Sequence, residues 1–358
     1  MKYIYALLIF VPLAVIAELA HWSPGLILVF SALGMIPLAG LLGEATEELA
    51  ALTGPKMGGF LNATLGNAAE LIITIVALKA GQVTLVKASI TGSILGNLLL
   101  ILGFSMLLGG FKNGFLRFDR TLAGVSATMM ILAVIGLIVP TVFEAFHGPD
   151  HLAEDLEALS LGVAGVLLLL YVLSVVFTFT ADFMGREPGT VVPGDEIRRH
   201  KAAWSLPRSA SVLAGATLAI VFLSEFLVGA VEPVVHDWGI SEFFLGIILV
   251  PIVGNVAEHL VGVQMAIKNR MDLSLSISLG SSMQIALFVA PLLVFVSLFV
   301  GPQPMNLYFH TFEVVALGVS VLIAALVSLD GESHWLEGAQ LLAVYTILGI
   351  AFFFLPTG

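Results

Sequence analysis

Long apolar stretches separated by short polar connections dominate the hydrophobic pattern of the chain. A helix that crosses a bilayer needs about 20 mainly apolar residues. Because backbone polar groups in hydrocarbon must bond within their own segment, and because the apolar residues run on without alternation, each stretch is predicted to be a helix rather than a barrel strand. The eleven predicted spans are 3–20, 25–45, 57–79, 83–109, 120–143, 159–182, 209–232, 240–267, 273–300, 308–329 and 335–356. The expected fold class is therefore an all-α, polytopic membrane protein.

Charged residues are too few to cover a water-facing surface of this size. The 358 residues are 59% hydrophobic and 11% charged, whereas a soluble domain carries about 25% charged residues. The lipid bilayer is the expected surrounding; no nucleic-acid partner is expected, and a homo-oligomer is left open. The chain contains no cysteine, which excludes disulfides, thiolate metal sites and cysteine nucleophiles. The apolar run from Tyr3 to Ala17 is interpreted as a retained first helix rather than a signal peptide.

The positions of Lys and Arg test the number of spans, because cytoplasmic loops of membrane proteins carry an excess of both. With eleven spans and the N-terminus inside, all but Lys79 and Lys87 of the 14 Lys and Arg residues fall on the inner side. A count shifted by one helix early in the chain destroys this asymmetry. The expected orientation has the N-terminus in the cytoplasm and the C-terminus outside.

Two short motifs repeat within the chain. Gly66-Asn67-Ala68-Ala69-Glu70 recurs as Gly254-Asn255-Val256-Ala257-Glu258, 188 residues further on. Each repeat would contain five helices, and since five is odd the two halves enter the membrane from opposite sides, as in the inverted repeats of many secondary transporters. The predicted organisation is an extra N-terminal helix at 1–22, a first five-helix half at 23–184, a basic cytoplasmic linker at 185–207 and a second half at 208–358.

Both repeated motifs place a glutamate deep inside a predicted helix. Such a residue costs several kcal/mol in a membrane and is a functional candidate by default, and no Lys or Arg lies deep in any predicted span to pair with it. Carboxylate, amide and hydroxyl oxygens form a ligand set that suits Ca²⁺, which takes six to eight oxygens. Glu70 and Glu258 are the predicted metal ligands. Further candidate cation ligands are Asn67, Asn255, Ser93, Asn97, Ser281 and Gln284.

The same carboxylates predict coupling between calcium and protons. When the metal leaves, two nearby carboxylates in a low dielectric gain proton affinity, and protonation removes the cost of bare charges. Occupancy by metal or by protons is therefore expected to be mutually exclusive, with about two protons per calcium and no cofactor. Glu225 and Glu313 also lie within or near predicted spans. Each is a candidate for a proton path, or it simply faces water at a helix end.

These motifs resemble those of the calcium/cation–proton antiporter family, the CAX branch of the cation/calcium exchanger superfamily. The matching stretches are Gly43–Ala50, Leu61–Ile72, Gly254–His259 and Gly280–Ala286. The resemblance implies eleven helices with inverted five-helix halves, and paired glutamates, here Glu70 and Glu258, that bind calcium and protons. It also implies that calcium leaves the cytosol as protons enter. The chain lacks a long N-terminal tail, which is typical of a compact prokaryotic member in the cytoplasmic membrane.

Other functions remain as alternatives. A sodium/calcium exchanger of the same superfamily would need further sodium-coordinating acids or hydroxyls around the site. A passive channel would conduct without proton countermovement. A metal-dependent intramembrane hydrolase is a remote alternative, since the chain has no paired-histidine metal signature or serine nucleophile frame and its halves are symmetric. The chain is therefore expected not to be an enzyme.

Overall fold

The computed structural model describes residues 4–54, 57–58, 61, 64–146, 152–180 and 202–355, which are almost entirely helical. In chain order the helices are α1 Ile4–Leu19, α2 Pro24–Thr53, α3 Ala68–Lys79, α4 Val83–Asn113, α5 Arg120–Phe146, α6 Leu152–Thr180, α7 Leu206–Trp238, α8 with the pieces Glu242–Val256 and Glu258–Ile267, α9 Met271–Ser297, α10 Thr311–Val327 and α11 Trp335–Phe354. Among the described residues, α2, α4, α5, α6, α7, α9 and α11 each contain a stretch long and apolar enough to cross a bilayer, and α8 is an eighth if its two pieces form one span. Helices α1 and α10 are apolar but shorter. The chain is a multi-pass helical membrane protein.

The predicted spans and the helices differ mainly at two places. Helix α2 continues to Thr53 instead of ending at 45, because the added segment is rich in Ala, Glu and Leu, which are strong helix formers although Glu is polar. The predicted span 57–79 becomes continuous helix only at Ala68, after a turn at Gly66 and Asn67. The predicted linker 185–207 lies outside the described residues up to position 201.

Two compact units divide the chain, and the first comprises Met1–Ser89, Gly194–Ala257 and Leu355–Gly358. Within it, α2 packs along α7, α1 lies on α2, and α3 contacts α7. Hydrogen bonds connect the last part of α2, which the sequence predicts to be cytoplasmic, with the residues just before α7. The carboxylate of the buried Glu48 accepts from the backbone N–H groups of Ala203 at 2.7 Å and Trp204 at 2.9 Å. This carboxylate therefore anchors the chain that leads into α7.

The second unit comprises Ile90–Pro193 and Glu258–Phe354. The second part of α4 packs on α11 at a glycine contact, where a Cβ on Gly338 would fall on the backbone of Gly103 and Leu107. Helix α5 contacts α9 and α10, and α6 contacts the last part of α9. Two short strands, β1 Leu116–Arg117 and β2 Glu332–Ser333, pair antiparallel and join the α4–α5 connection to the α10–α11 connection.

Large apolar side chains cover the outer surface of several helices. Leu132 of α5, Val166 of α6, Leu218 of α7 and Ile347 of α11 are each more than half exposed. A surface of this kind is unfavourable in water by about 25 cal/mol for each Å² of apolar area. Lipid is the solvent that removes this cost, in agreement with the hydrophobic pattern of the chain.

Three of the helices that the structure describes contain a π-helical segment. These segments are Gly96–Ile101 in α4, Leu245–Leu249 in α8 and Ile285–Val289 in α9. Such segments are uncommon and occur frequently at functional sites, because they change which side chains share a helix face. Asn97 lies inside the first of them, and Gln284 directly precedes the last.

Candidate cation and proton site

The first repeated motif forms the beginning of α3. Asn67 occupies the N-cap position and Glu70 lies in the first turn; both side chains are buried, with 0% and 5% of their surface exposed. An ionised carboxylate interacts favourably with the positive end of the helix dipole at this place. The hydroxyl of Thr74 donates to the carbonyl oxygen of Glu70 at 2.6 Å. The motif therefore begins α3 and places the carboxyl group of Glu70 in its first turn, inside the protein.

Glu70 lies directly against the second repeated motif, within the first unit. A Cβ added to Gly254 would be 3.2 Å from Cγ and 3.3 Å from Oε1 of Glu70, so a side chain at this position would crowd the carboxylate and require it to shift. The neighbouring Asn255 is buried, and its Nδ2 donates to the carbonyl oxygen of Pro251 at 2.9 Å. That bond fixes the orientation of the Asn255 amide. Thus the acid of one repeat contacts the glycine of the other.

Three predicted site residues are joined by hydrogen bonds within the second unit. Asn97 Nδ2 donates to Ser281 Oγ at 2.9 Å, and Ser281 is hydrogen-bonded to the carboxyl group of Glu258. In the described part of the chain, Asn97 Oδ1 and Glu258 Oε2 are buried and accept no hydrogen bond. Burial of an acceptor oxygen without a donor is costly, and a hard cation such as Ca²⁺ would supply the missing positive charge.

Ser93 and Gln284 stay predictions as ligands. Ser93 is buried on α4, one turn before Asn97, and Gln284 is partly exposed on α9, one turn after Ser281. Residues at these spacings share a helix face. Glu70 belongs to the first unit and Glu258 to the second, so their joint binding of one metal ion also stays a prediction. The described residues contain no group of three or more His, Asp or Glu that could hold a metal ion; amide and hydroxyl oxygens would have to complete the ligand set.

The two candidates for a proton path have different surroundings. Glu225 is about half exposed and pairs with the exposed Lys79, at 3.7 Å between Oε1 and Nζ; exposed pairs of this kind contribute little to stability. Glu313 is buried and begins α10 through a capping box with His310. Its Oε2 accepts from the backbone N–H of His310 and its Oε1 accepts from the Thr91 hydroxyl, each at 2.8 Å.

Sequence reasoning missed this structural role of Glu313, although a local signal was present. A capping box places an acceptor side chain at the N-cap and a Glu or Gln three residues later, and His310 and Glu313 have that spacing. The contact with Thr91, 222 residues away in sequence, had no such signal.

We expect Glu313→Ala to lower the free energy of unfolding by about 1–2 kcal/mol, because it removes a cap and leaves the Thr91 hydroxyl without its acceptor. Glu313→Gln retains an acceptor and is expected to lose much less. Thermal unfolding in detergent measures both, with Glu332→Ala at an exposed ion pair as the control. A Glu313→Ala variant as stable as wild type would contradict the capping role. A stable Glu313→Gln variant without transport would instead place Glu313 in the proton path.

A multi-pass helical fold with buried carboxylates and amide and hydroxyl oxygens inside its helices defines a membrane transporter of cations. The sequence matches the sodium/calcium exchanger protein family over residues 23–180 and 208–354, and the chain belongs to that family.

Individual relatives resemble the chain over nearly its whole length. It is 44% identical to the Ca²⁺/H⁺ antiporter of Aphanothece halophytica, over 98% of this chain and 96% of the relative. It is 42% identical to the Ca²⁺/H⁺ antiporter ChaA of Bacillus subtilis (strain 168), over 96% and 97%. The crystal structure of the Ca²⁺/H⁺ antiporter protein YfkE superimposes with a TM-score of 0.85 at 39% identity, covering 99% of this chain and 100% of that one.

Proposed function

We propose that the chain is a secondary active transporter that exchanges calcium for protons and exports calcium from the cytosol. The observation that carries the proposal is the hydrogen-bonded group of Asn97, Ser281 and Glu258, which keeps two buried acceptor oxygens available for a cation. Similarity to Ca²⁺/H⁺ antiporters at 42–44% identity supports the choice of cargo. Both cargoes are substrates, and no cofactor is proposed.

Glu70 and Glu258 are proposed to hold either calcium or protons. With calcium bound, the two carboxylates are ionised and the metal compensates their charge. After release, protons neutralise the carboxyl groups, so that the empty carrier can return without exposing bare charge to a low-dielectric interior. Exclusive occupancy of one site that faces each side in turn converts a proton gradient into calcium export. The candidate groups lie within one chain, so the proposal requires no second copy.

Eleven spans in two inverted five-helix halves are proposed for the membrane topology. Contacts within each unit support this count, because they join connections that the count puts on the same side. The paired strands β1 and β2 lie in connections separated by six spans, α5 to α10. The Asp272 carboxylate accepts from Asp119 N–H at 2.6 Å, across four spans. An odd number of spans between either pair would place its members on opposite faces of the bilayer.

Contacts at the opposite ends of the helices also join positions that the count puts on one side of the membrane. The Thr141 hydroxyl of α5 accepts from Phe309 N–H at 2.9 Å, just before α10. In the first unit, Gly25 at the start of α2 lies against Trp238 at the end of α7, and Gln82 donates to the carbonyl oxygen of Val228 in α7. All these contacts lie at or towards the external ends of their helices in the proposed topology. The asymmetry of Lys and Arg supports a cytoplasmic N-terminus.

The proposed organisation keeps the boundaries expected from the sequence: 1–22, 23–184, 185–207 and 208–358. The π-helical segments in α4 and α9 support the repeat, since the offset of 188 residues between the motifs carries Asn97 onto Ile285, the first residue of the later segment. Each of the two compact units combines parts of both halves. The cytoplasmic membrane is the proposed location, which the similarity to a protein of Bacillus subtilis supports.

Transport by reconstituted protein tests the function. Purified protein in liposomes should take up calcium when a pH gradient is imposed, with protons moving in the opposite direction. Uptake that follows a sodium gradient and ignores the pH gradient would support the sodium/calcium alternative. Calcium flux without proton countermovement would indicate a channel. Uptake driven by neither gradient, in liposomes that hold correctly folded protein, would refute the proposal.

A further inference from the structure

A row of three serines follows one face of α9. Ser274, Ser278 and Ser281 are spaced by four and three residues, which places them one above another on a helix. Ser281, at the end of the row, contacts Asn97 and Glu258. Ser274 and Ser278 are completely buried, with 0% of their surface exposed. The row thus starts at the candidate site and leads towards the beginning of α9 at Met271.

The hydroxyls of Ser274 and Ser278 have no hydrogen-bond partner in the part of the chain that the structure describes. Buried helical serines usually donate to the carbonyl four residues earlier, as Ser282 does to the backbone carbonyl oxygen of Ser278 at 2.9 Å and Ser224 does to that of Ile220 at 2.7 Å. A buried hydroxyl without a partner is unfavourable. These two hydroxyls are therefore available to bind a small polar species, and what sets them apart from other partnerless buried serines is their place in the row that ends at the candidate site.

The second piece of α8 runs beside this row. Gly262 follows Glu258 by one helical turn, and a Cβ at Gly262 would lie 3.9 Å from Ser274 Oγ and 3.1 Å from Ile101 of α4. Ser281 is bonded to Glu258, while Ser274 lies beside Gly262. The row is thus bordered along its length by α8, and the missing side chain at Gly262 keeps bulk away from the Ser274 hydroxyl.

We propose that Ser274, Ser278 and Ser281 bind a file of water molecules that connects Glu258 with the Met271 end of α9. Residues at these spacings lie about 5–6 Å apart, which one water molecule with two hydrogen bonds of about 2.8 Å each can span. The unused Asn97 Oδ1 and Glu258 Oε2 atoms lie at the site end of the file. The proposed function assigns the cargo: protons move along this water between Glu258 and the cytoplasmic side.

The absence of cysteine from the chain allows a direct test of access that does not depend on transport. Ser274→Cys and Ser278→Cys each introduce one thiol of similar size. Silver ions, which are small and hydrophilic, replace the thiol proton wherever water provides access. A thiol that has bound silver is no longer alkylated by N-ethylmaleimide after denaturation.

Ser320→Cys is the matched control. Ser320 lies in α10, is 0% exposed, and its hydroxyl also has no partner among the described residues, but it is not part of the row. Silver added to folded protein is expected to protect the thiols at 274 and 278 while that at 320 remains open to alkylation. Protection at 274 and 278 no faster than at 320 would overturn the proposal.

Transport gives the second readout. The double variant Ser274→Ala/Ser278→Ala is expected to exchange about tenfold more slowly at saturating calcium, the factor for one lost hydrogen bond, with the half-saturating calcium concentration unchanged. Ser320→Ala should keep the wild-type rate. Wild-type exchange by the double variant would also overturn the water file. If the thiols at 274 and 278 are accessible to silver but the wild-type protein shows no calcium/proton exchange, the proposed function fails and the file stands.

Discussion

Glu70→Gln and Glu258→Gln should each slow calcium/proton exchange at least about a hundredfold, because either change leaves a buried cation short of one negative charge, a loss of about 3–5 kcal/mol. The amide is nearly isosteric with the carboxyl group, so the fold should be retained. Calcium uptake driven by an imposed pH gradient in liposomes is the measurement. The residual uptake should also lose most of its dependence on pH, since one of the two protonation sites is gone.

Glu332→Gln is the control for this pair of variants, because Glu332 forms an exposed ion pair with Arg117 at 3.2 Å and such pairs contribute at most about 1 kcal/mol. It should exchange at the wild-type rate. Exchange by Glu70→Gln or Glu258→Gln at that same rate would remove the residue concerned from the mechanism. Loss in only one of the two variants would mean that the repeated motifs are not functionally equivalent.

Gly254→Val is expected to reduce exchange about a hundredfold, which is the effect that displacement of a reacting group by about 1 Å can have. The first added carbon already lies 3.2–3.4 Å from three atoms of Glu70, including Oε1, and the two methyl groups of valine force the carboxyl group to move. Gly254→Ala should give a smaller loss of the same kind, seen chiefly as a higher half-saturating calcium concentration. Uptake measured over a range of calcium concentrations separates affinity from maximum rate.

Gly40→Ala in α2 is the matched control for the glycine series, because no atom lies within 4 Å of its Cβ position. It should leave both transport parameters unchanged. A Gly254→Val variant with wild-type calcium dependence would show that the contact between Glu70 and Gly254 has no part in cation binding. Thermal unfolding of each variant identifies a loss that is due to misfolding.

The helices could largely be predicted from the sequence, because apolar length decides them. Each predicted span from position 83 onward overlaps one of the helices α4–α11, and α6 is typical: 159–182 was predicted and Leu152–Thr180 is found. The predicted span omitted the polar start of this helix, which contains Glu154 and Asp155, because apolar length marks only the apolar part of a helix. The break at Gly66 and Asn67 was harder to place, since glycine and asparagine indicate a weak helix without fixing where it starts.

The candidate residues could be named from the sequence, but their contacts could not. The repeat singled out Glu70, Glu258 and their neighbours, whereas the bond between Asn97 and Ser281 joins residues 184 positions apart. Neither helical periodicity nor motif spacing contains that information, because it depends on how distant helices pack. The partnerless hydroxyls of Ser274 and Ser278 could not be predicted for the same reason. A serine in the sequence does not indicate whether a carbonyl of its own helix will accept a hydrogen bond from its hydroxyl.

The π-helical segment of α4 allows one continuous helix to serve two interfaces that an ordinary helix could not align. A residue inserted into an α-helix turns everything after it by about 100°. In α4, Asn97 donates to Ser281 at the candidate site, while Gly103 and Gly110, after the π-helical segment, pack closely on α11 at Gly338 and Trp335. Regular α-helical winding of the same residues through Gly96–Ile101 would therefore rotate one of these faces away from its partner, which makes the π-helical turn a requirement of both contacts.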